Sequence, residues 1–533
     1  MLVVEKAPFF GGTSATSGGV IWIPGHRLAG PAVKPDDRQE QQRYLLEVLG
    51  PQFPGPLIDT YLDNGPKMVD FFVNEVGIEF AVAAMPDYLS HLPGGRNGGR
   101  SLQALPVHAK VLGAELGRLR PPLREMTLFG LAIGSGNNLN DLYRFGRSLP
   151  ATLRVLGRFA RYGSDLLLHG RGQTLVNGNA LMARLASAAF RLGIPVWTSA
   201  PAEELIFDGE RVAGAVVQHG GEPVRVCARK GVVLASGGIA QDIARRQQVY
   251  GHPARAHQHL SLTAPGNTGD GARMAESAGG FVDTTVASPG AWMPTSKVAR
   301  PDGTWGLVFH SVNVGKPGVI AVLRDGKRFV DESVPYHYFV KSMVAACGDM
   351  QPPGAFVICD QASFRRYGLG YAKPLLPQGR LLKTRYLYKA ASIEALAQQI
   401  GVEPGALAQT VKDYNVHAAQ GQDPQFGKGT HRFGNYLGDA SHPLSPNVAP
   451  LLQAPFYAVW MQPGDIGSFA GIRTNAQAQA MRPDGMVIPG LFAVGNDMAS
   501  VFRGHYPGGG SMLGPGMTFG FVAGRTLAQP NDC

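Results

Sequence analysis

The segment from Gly170 to about Gly238 most constrains the fold, because three kinds of pattern follow one another within it. "NALMARLASAAFRLG" repeats apolar residues at helical spacing, and "IPVWTSA" then predicts a buried strand. "AEELIFDGERVAGAVVQHGGEPVRVCA" holds three alternating stretches separated by the turns "DGER" and "HGGEP", which predicts an antiparallel meander. "KGVVLASGG" adds an apolar strand that ends in small residues. This order predicts an α/β fold in which a parallel sheet carries an antiparallel meander.

Length and composition indicate a folded protein of two domains. A chain of 533 residues exceeds what one hydrophobic core usually supports, and its 44% hydrophobic and 17% charged residues are ordinary for a globular protein. Residues 280–447 differ from the rest, with aromatic residues, "RPDG" and "RDGKR" turns and the helical patterns "SIEALAQQIG" and "EPGALAQTVKDYNVHAAQG". We predict that residues 1–279 and 448–533 form one domain, into which residues 280–447 are inserted as an α+β domain.

The first twenty residues have the pattern of a nucleotide-binding edge. "LVVE" predicts a short strand ending at Glu5, where a carboxylate can accept hydrogen bonds from both ribose hydroxyls. "GGTSATSGG", six residues later, offers backbone N–H and hydroxyl donors to a pyrophosphate or a flavin ring. A surface strand and a glycine-rich surface loop would give the same letters, so the pattern alone leaves both interpretations open.

A second candidate cofactor site lies near the C-terminus. "PGLFAVGNDMAS" predicts a strand ending at Gly495, Asn496 and Asp497, where a carboxylate could meet the ribityl chain of a flavin. "YPGGGSMLGPGMTFGFVAGR" then leads glycines into the N-terminus of a helix, whose positive end suits the electron-rich pyrimidine edge of a flavin. Asp270, in "NTGDGARMAESAG", is predicted to cap another helix.

Four segments resemble one flavoprotein family: "VVEKAPFFGGTSATSGGVIWIPG", "DGKRFVDESVPYHYF", "PGDIGSFAGIRTN" and "GLFAVGNDMASVFRGHYPGGGSMLGPGMTFGFVAGR". They resemble the succinate dehydrogenase/fumarate reductase type, and most of all its 3-ketosteroid Δ1-dehydrogenase branch. The implied fold is a Rossmann-like FAD-binding domain with an antiparallel meander and an inserted catalytic domain. Family members begin with a strand and a GxGxxG loop, so we expect roughly 25–30 residues ahead of Met1 to be missing.

The resemblance implies FAD as the cofactor. No metal is expected, because the four cysteines are scattered and make no CxxC pair. Together with the two patterns above, the resemblance gives an expected set of FAD contacts: Glu5, Lys6, Gly11, Gly12, Thr13, Ser14, Ser17, Gly18, Gly19, Ala202, Ala235, Ser236, Gly237, Asp270, Gly495, Asn496, Asp497, Ser511 and Leu513.

The resemblance also implies the reaction, which removes an α-proton and a β-hydride beside a ketone. In the family, one tyrosine is the base, a second assists it, and a third tyrosine and a glycine N–H bind the C3 carbonyl. Carried over, the base is Tyr336, the assisting residue Tyr88, and the carbonyl donors Tyr506 and the N–H of Gly510. Tyr338 competes with Tyr336, because in a strand both would share a face. Each tyrosine could instead be a packing residue.

The expected function is therefore the FAD-dependent introduction of a C1–C2 double bond into a 3-ketosteroid or a similar cyclic ketone. Phe502 and Arg503 stand where smaller residues are common in the family, which leaves the shape of the substrate open. One alternative is a fumarate-reductase-like enone or enoate reductase, although no "HPT"-type carboxylate clamp is present. Another is an inactive, flavin-free remnant, if the first strand and phosphate loop are truly lost.

Cysteine usage and the first residues bear on location. The chain has no CxxC pair and no charged segment followed by an apolar core at its start, which favours a reducing compartment and a cytoplasmic protein. We expect a cyclic ketone substrate, an external quinone or dye-like electron acceptor, and no nucleic acid. The four cysteines are Cys227, Cys347, Cys359 and Cys533.

Part of the net charge of +10 lies in "DLYRFGRSLPATLRVLGRFARYG". Arg154, Arg158 and Arg161 share one face of the predicted helix there, largely away from its apolar residues. The face is either solvated or part of a basic amphipathic helix on anionic lipid, which would add peripheral contact at the inner membrane surface.

Overall fold

The computed structural model describes residues 1–28, 30, 35–134, 136–253, 255, 257–374 and 376–529. They form two compact units. Unit 1 comprises the described residues within 1–249, 263–290 and 467–533, and unit 2 those within 250–262 and 291–466. The sequence placed the boundaries at 279/280 and 447/448, so the observed division falls at other positions and gives residues 250–262 to unit 2. Cys533 lies outside the described residues, and the other three cysteines are free thiols.

The α-helices of the described chain range from one turn to six. They are α1 Gly12–Thr16, α2 Arg38–Leu49, α3 Gly55–Phe71, α4 Asn137–Tyr143, α5 Leu149–His169, α6 Asn177–Arg191, α7 Ile243–Val249, α8 Asp270–Ser277, α9 Tyr336–Cys347, α10 Gln361–Tyr367, α11 Gly379–Lys383, α12 Ile393–Ile400, α13 Pro404–Ala418, α14 Arg432–Leu437 and α15 Leu513–Ala528.

The strands are mostly short. They are β1 Val3–Val4, β2 Val20–Trp22, β3 Phe80–Val82, β4 Ser101–Ala104, β5 Val107–His108, β6 Thr127–Leu128, β7 Leu131–Ala132, β8 Thr174–Leu175, β9 Val196–Trp197, β10 Ala202–Asp208, β11 Arg211–His219, β12 Glu222–Cys227, β13 Val232–Leu234, β14 Leu260–Ser261, β15 Val282–Asp283, β16 Gly290–Trp292, β17 Thr295–Ala299, β18 Trp305–Phe309, β19 Val319–Val322, β20 Ala355–Cys359, β21 Tyr388–Ala390, β22 Phe456–Met461, β23 Gly464–Ser468, β24 Gly471–Ile472, β25 Gln479–Met481 and β26 Val487–Ala493.

Unit 1 contains the predicted meander, since β10, β11 and β12 pair antiparallel in that order. Two parallel strand pairs of unit 1 are β1 with β9 and β13 with β26. Among the described residues these pairs belong to different sheets, so the mixed helix/sheet fold is present whereas one continuous Rossmann-like sheet is not. The predicted buried strand "IPVWTSA" is β9, which is only two residues long and half-buried.

A second sheet of unit 1, in the order β2–β4–β3, carries the main core of that unit. Trp22 at the end of β2 is fully buried, and its indole packs edge-on against Phe502 and nearly parallel to Tyr61 of α3. The C-terminal helix α15 contacts both β2 and α3. The core of unit 1 therefore lies directly beneath the glycine-rich segment that precedes α15.

Unit 2 is built on an antiparallel sheet in the order β19–β20–β22–β21. Both predicted helical patterns of this segment are present as α12 and α13, which pack their apolar residues on the sheet. The side chain of Ser392 caps α12 by accepting a hydrogen bond from the N–H of Ala395, and Pro404 occupies the first turn of α13, where no N–H is needed.

Candidate functional site

The first predicted cofactor segment places a lysine and a carboxylate side by side. Lys6 Nζ donates to Thr268 Oγ1 at 2.6 Å and forms an ion pair with Asp270. Asp270 is the first residue of α8 and also pairs with Arg273, whereas the N-cap position is taken by Gly269. The prediction that Asp270 caps the helix is therefore wrong, because its carboxylate is held by two cations instead of by backbone N–H groups.

The "GGTSATSGG" segment folds as the short helix α1 and its flanks. Thr13 Oγ1 accepts hydrogen bonds from Ala264 N at 2.9 Å and Asn267 Nδ2 at 3.2 Å. Ser17 Oγ donates to Ser14 O at 2.7 Å. These hydroxyls therefore hold the local fold together. Further on, Gly19 approaches α6 so closely that a Cβ there would lie 2.4 Å from Asn177.

The second predicted cofactor segment meets the end of β13. The Asp497 carboxylate, almost fully buried, accepts from the backbone N–H of Ser236, from Ser236 Oγ at 3.0 Å and from Gly238 N at 3.1 Å. Burial raises the pKa of Asp497 despite these bonds. Asp497 thus fixes the turn that follows β13, and its contact with a ribityl chain stays a prediction.

The donor set of unit 1 fits an FAD molecule at three points. No atom lies within 4 Å of where a Cβ of Gly12 or Gly495 would stand, so both backbones are open to close approach. A cavity of 640 Å³, within the usual range for ligand sites, is lined by Lys6, Ala202, Asp270 and neighbouring residues. Leu513 begins α15, whose N-terminus offers a positive end. Ala235, Gly237 and Asn496 lie in the turns that follow β13 and β26.

Tyr88 and Tyr506, 418 positions apart in the sequence, are stacked in unit 1. Their ring centroids lie 5.2 Å apart at an interplanar angle of 20°, and Phe469 packs edge-on against Tyr506. Both tyrosines are buried, with exposed fractions of 5% and 3%. Tyr88 N also donates to Pro507 O at 2.9 Å. The structure thus brings together two of the four tyrosines named in the sequence analysis.

The glycines after Tyr506 are required by close packing on β2. A Cβ on Gly508 would lie 2.4 Å from the Trp22 indole, and one on Gly510 would lie 2.6 Å from Trp22 N at a φ of +106°. Trp22 N donates to Gly510 O at 3.2 Å, while Ser511 Oγ donates to Gly508 O at 2.7 Å. This loop is therefore seated on the core of unit 1 with its backbone fixed.

A buried ionic network supports the same loop, and sequence reasoning missed it. Arg100, 1% exposed, donates to both oxygens of Asp36 at 2.8 and 2.9 Å and to Asp87 at 2.7 Å. Asp87 also accepts from Trp22 Nε1 at 2.8 Å. The one available signal was the position of Asp87, directly before Tyr88, and it did not reveal the distant partners.

Tyr336 lies in unit 2 as the first residue of α9, after the N-cap residue Pro335, and is half-buried. The interpretation that Tyr338 shares its face is wrong, because the segment is a helix, in which residues two apart point roughly 200° from one another. Between them His337 is buried, and its Nδ1 accepts from Trp292 N at 3.2 Å.

Phe502 and Arg503 both have partners within unit 1. Phe502 is fully buried against Trp22 and Tyr61. Arg503, at a φ of +50°, donates to Asp283 Oδ2 at 2.8 Å and to Thr285. The large side chain of Phe502 therefore fills the core of unit 1, and that of Arg503 anchors its loop to Asp283 and Thr285.

Comparisons with known proteins agree along nearly the whole chain. A family model described as FAD binding domain matches residues 1–513. The 4-oxocyclohex-2-ene-1-carboxylate 5-dehydrogenase of Sinomonas cyclohexanicum is 37% identical over 531 residues, 99% of this chain and 90% of that one. The 3-oxosteroid 1-dehydrogenase of Mycolicibacterium smegmatis is 33% identical over 549 residues, 99% of this chain and 92% of that one.

Among solved structures, the 3-ketosteroid delta1-dehydrogenase from Sterolibacterium denitrificans, in complex with 1,4-androstadiene-3,17-dione, matches with a TM-score of 0.91. It is 32% identical, over 99% of this chain and 94% of that one.

Proposed function

This chain belongs to the FAD binding domain family and is an FAD-dependent oxidoreductase acting on CH–CH groups, and from that premise we propose that it desaturates a cyclic ketone beside its carbonyl. The proposed substrate is a 3-ketosteroid that gains a C1–C2 double bond. The observation that carries the proposal is the stacked pair of Tyr88 and Tyr506 above the fixed glycine loop. FAD, when bound, supplies the acceptor for the hydride.

The tyrosines divide the remaining chemistry between them. Tyr506 O–H and Gly510 N–H donate to the C3 carbonyl oxygen, which becomes more negative as the α-proton leaves. Burial of Tyr506 strengthens such a bond, because few water molecules compete with it. Tyr336, the first residue of α9, takes the α-proton. Tyr88 assists this proton transfer.

The charges near the stacked pair favour a neutral substrate. Arg100 is bound by Asp36 and Asp87, and Arg503 is bound by Asp283, so neither cation is available to clamp a carboxylate. The relatives act, by their names, on steroids and on oxocyclohexene carboxylates. A ketone beside a CH–CH bond is common to both classes, and the paired arginines support the steroid.

The proposal includes an external acceptor of quinone or dye-like chemistry, a cytoplasmic location and peripheral contact at the inner membrane surface. Among the helices of the described residues, none is long and apolar enough to cross a membrane. Contact with a bilayer would therefore be made from one side.

The test compares three FAD-loaded phenylalanine variants. Anaerobic flavin bleaching is measured with 4-androstene-3,17-dione and, separately, with 4-oxocyclohexanecarboxylate. We expect Tyr506→Phe to slow bleaching by the steroid by about 10²–10³-fold, the usual loss for one such donor. Tyr336→Phe should abolish both bleaching and the exchange of α-hydrogens with solvent deuterium. Tyr338→Phe is the matched control and should behave like the unsubstituted enzyme.

Two results would contradict parts of this proposal. An active Tyr336→Phe beside an inactive Tyr338→Phe would reassign the base. Bleaching by the carboxylate alone would reject the steroid and keep the flavoprotein assignment.

A further inference from the structure

A row of hydrogen-bonded side chains in unit 2 joins a buried carboxylate to two histidines. Asp465 of β23 and His259, which directly precedes β14, have fully buried side chains, and His259 Nε2 lies 2.7 Å from Asp465 Oδ2. His259 Nδ1 lies 3.1 Å from His252 Nε2, and His252 Nδ1 lies 3.1 Å from Tyr250 O. We name Asp465, His259 and His252 the histidine row.

The acceptors along the histidine row fix how many protons it holds. A carbonyl oxygen only accepts hydrogen bonds, so His252 Nδ1 carries a proton. His252 Nε2 and His259 Nδ1 share a second proton, and a third lies between His259 Nε2 and Asp465 Oδ2. Two neutral imidazoles supply only two of these three protons. The row therefore holds one proton more than two neutral histidines and a carboxylate.

The additional proton belongs to the histidines, because Asp465 has the partners of an ionised carboxylate. Its Oδ1 accepts from Ser261 Oγ at 2.8 Å and its Oδ2 from Tyr250 Oη at 3.3 Å. Hydrogen bonds of this kind favour the charged form of a carboxylate. The 2.7 Å between His259 Nε2 and Asp465 Oδ2 is typical of an ionised donor with an ionised acceptor. The geometry is that of an imidazolium buried beside Asp465.

Trp292 of β16 connects the histidine row to α9. Its indole packs edge-on against the rings of Tyr250, His252 and His259, at centroid distances of 4.8, 5.2 and 5.8 Å. Its backbone N–H donates to Nδ1 of the buried His337 at 3.2 Å. Because Nδ1 accepts this bond, His337 is a neutral imidazole protonated at Nε2. Trp292 thus packs on the charged histidines with its side chain and holds a neutral one with its backbone.

We propose that the histidine row positions the base of the reaction: its buried imidazolium fixes Trp292, and Trp292 fixes the first turn of α9, where Tyr336 directly precedes His337. The role of Tyr336 rests on the proposed function, whereas the charge of the row does not. A displacement of about 1 Å at a reacting group can cost about 10²-fold in rate. Loss of the imidazolium should therefore lower turnover more than it weakens substrate binding.

The test substitutes His252, which is half-buried, so that the variants keep the core of unit 2. His252→Gln retains an acceptor, because the glutamine oxygen can take the hydrogen bond of His259 Nδ1. His252→Leu removes this acceptor, and His417→Leu, at an exposed position of α13, is the matched control. The FAD-loaded proteins are labelled with nitrogen-15 in their histidines, and imidazole nitrogen chemical shifts at neutral pH report protonation. Turnover of 4-androstene-3,17-dione with a soluble dye is measured in parallel.

We expect an imidazolium signal in the unsubstituted protein that persists in His252→Gln and in the control. His252→Leu should lose it, because a doubly protonated His259 would keep a buried N–H without an acceptor. Turnover should fall about tenfold or more in His252→Leu with little change in KM, and no more than about threefold in His252→Gln. The control should stay within about twofold of the unsubstituted protein.

Three results overturn the proposal. The first is the absence of an imidazolium signal that responds to His252→Leu. The second is an equal fall in turnover in His252→Leu and His252→Gln, which would show that only the shape of the ring matters. The third is unchanged turnover in His252→Leu despite the lost signal. Failure of the steroid to reduce the flavin of the unsubstituted protein would instead reject the proposed function and the role of Tyr336, while the signal would still establish the charge of the row.

Discussion

Each unit buries one arginine between two carboxylates, but the two networks differ in how deeply their second cation is buried and in what they hold. In unit 1, Arg100 joins Asp36 and Asp87, next to the loop that carries Tyr506. In unit 2, Arg328 donates to Glu332 at 2.8 and 2.9 Å and to Asp423 at 2.7 and 2.9 Å.

Both networks have a second cation. In unit 1 it is Arg96, which is 18% exposed and whose Nη1 lies 3.2 Å from Asp36 Oδ1. In unit 2 it is the fully buried Lys428. Lys428 Nζ lies 3.3 Å from Glu332, whose other oxygen accepts from Ala321 N of β19 at 3.0 Å. Although burial opposes its ionisation, the charges of Arg328 and Lys428 lower the pKa of Glu332 to about 2. For Asp87 in unit 1 the balance is reversed, because burial raises its pKa despite Arg100. The pKa of Asp36 is lowered, because its hydrogen bonds to Arg100 and Arg96 outweigh burial.

The opposite pKa shifts of Glu332 and Asp87 indicate that the two buried arginine–carboxylate networks have different roles. Glu332 is surrounded by cations and tied to the central sheet of unit 2, so its charge stabilises the fold that leads into α9. Asp87 shares one arginine with Asp36 and carries the Trp22 bond, so it sets the position of the segment beside Tyr88. Removal of each carboxylate should therefore produce different losses.

The largest effect is expected for Glu332→Gln. This change leaves Arg328 and Lys428 buried with less compensation, and breaking a buried pair in this way costs about 3–5 kcal/mol. The loss should appear as faster hydrogen exchange in β19 and α9. Asp59→Asn is the isosteric control, because its partner Arg38 is partly exposed and such pairs contribute about 1 kcal/mol or less. Equal losses of unfolding free energy in Glu332→Gln and Asp59→Asn would show that the buried network contributes no more than a partly exposed ion pair.

A somewhat smaller effect, about 3 kcal/mol at most, is expected from acid. The folded-state pKa of Glu332 lies below its ordinary value of 4.5. Its contribution to stability is therefore complete above pH 4.5 and is lost as the pH falls toward 2. The difference in unfolding free energy between the unsubstituted protein and Glu332→Gln should shrink across that range. Urea unfolding at several pH values measures it, and a difference independent of pH would show that Glu332 acts through shape alone.

The sequence predicted the elements whose signals are local. The meander, α12, α13 and α15 are present because apolar spacing, turn residues and caps lie within each segment. Asp270 failed as a cap because Lys6, 264 positions away, competes for its carboxylate. Tyr338 does not share the face of Tyr336, because the segment forms the helix α9 and not a strand.

The site shows the same limit. No spacing rule joins Tyr88 to Tyr506, and the family resemblance alone suggested that both matter. The sequence does not predict the ion pairs of Arg100, because its partners lie 13 and 64 positions away and a lone arginine has no distinctive pattern. Local sequence patterns specify helices and turns, whereas long-range ion pairs depend on the packed fold.

The smallest effect, and the one that separates the two networks most sharply, is expected for Asp87→Asn. Arg100 keeps both of its bonds to Asp36, so the buried cation stays compensated and the stability loss should be about 1–2 kcal/mol. The raised pKa of Asp87 means that the unsubstituted protein gains stability as the pH falls toward the ordinary value of 3.8. Relative to Asp87→Asn, its unfolding free energy should therefore rise on mild acidification, which is opposite to the trend for Glu332.

The Asp87→Asn variant should also show slower steroid-dependent flavin bleaching under conditions in which it is still folded, because the altered side chain adjoins Tyr88. A parallel pH trend for both carboxylates, with bleaching unchanged, would mean that the two networks perform one and the same structural task.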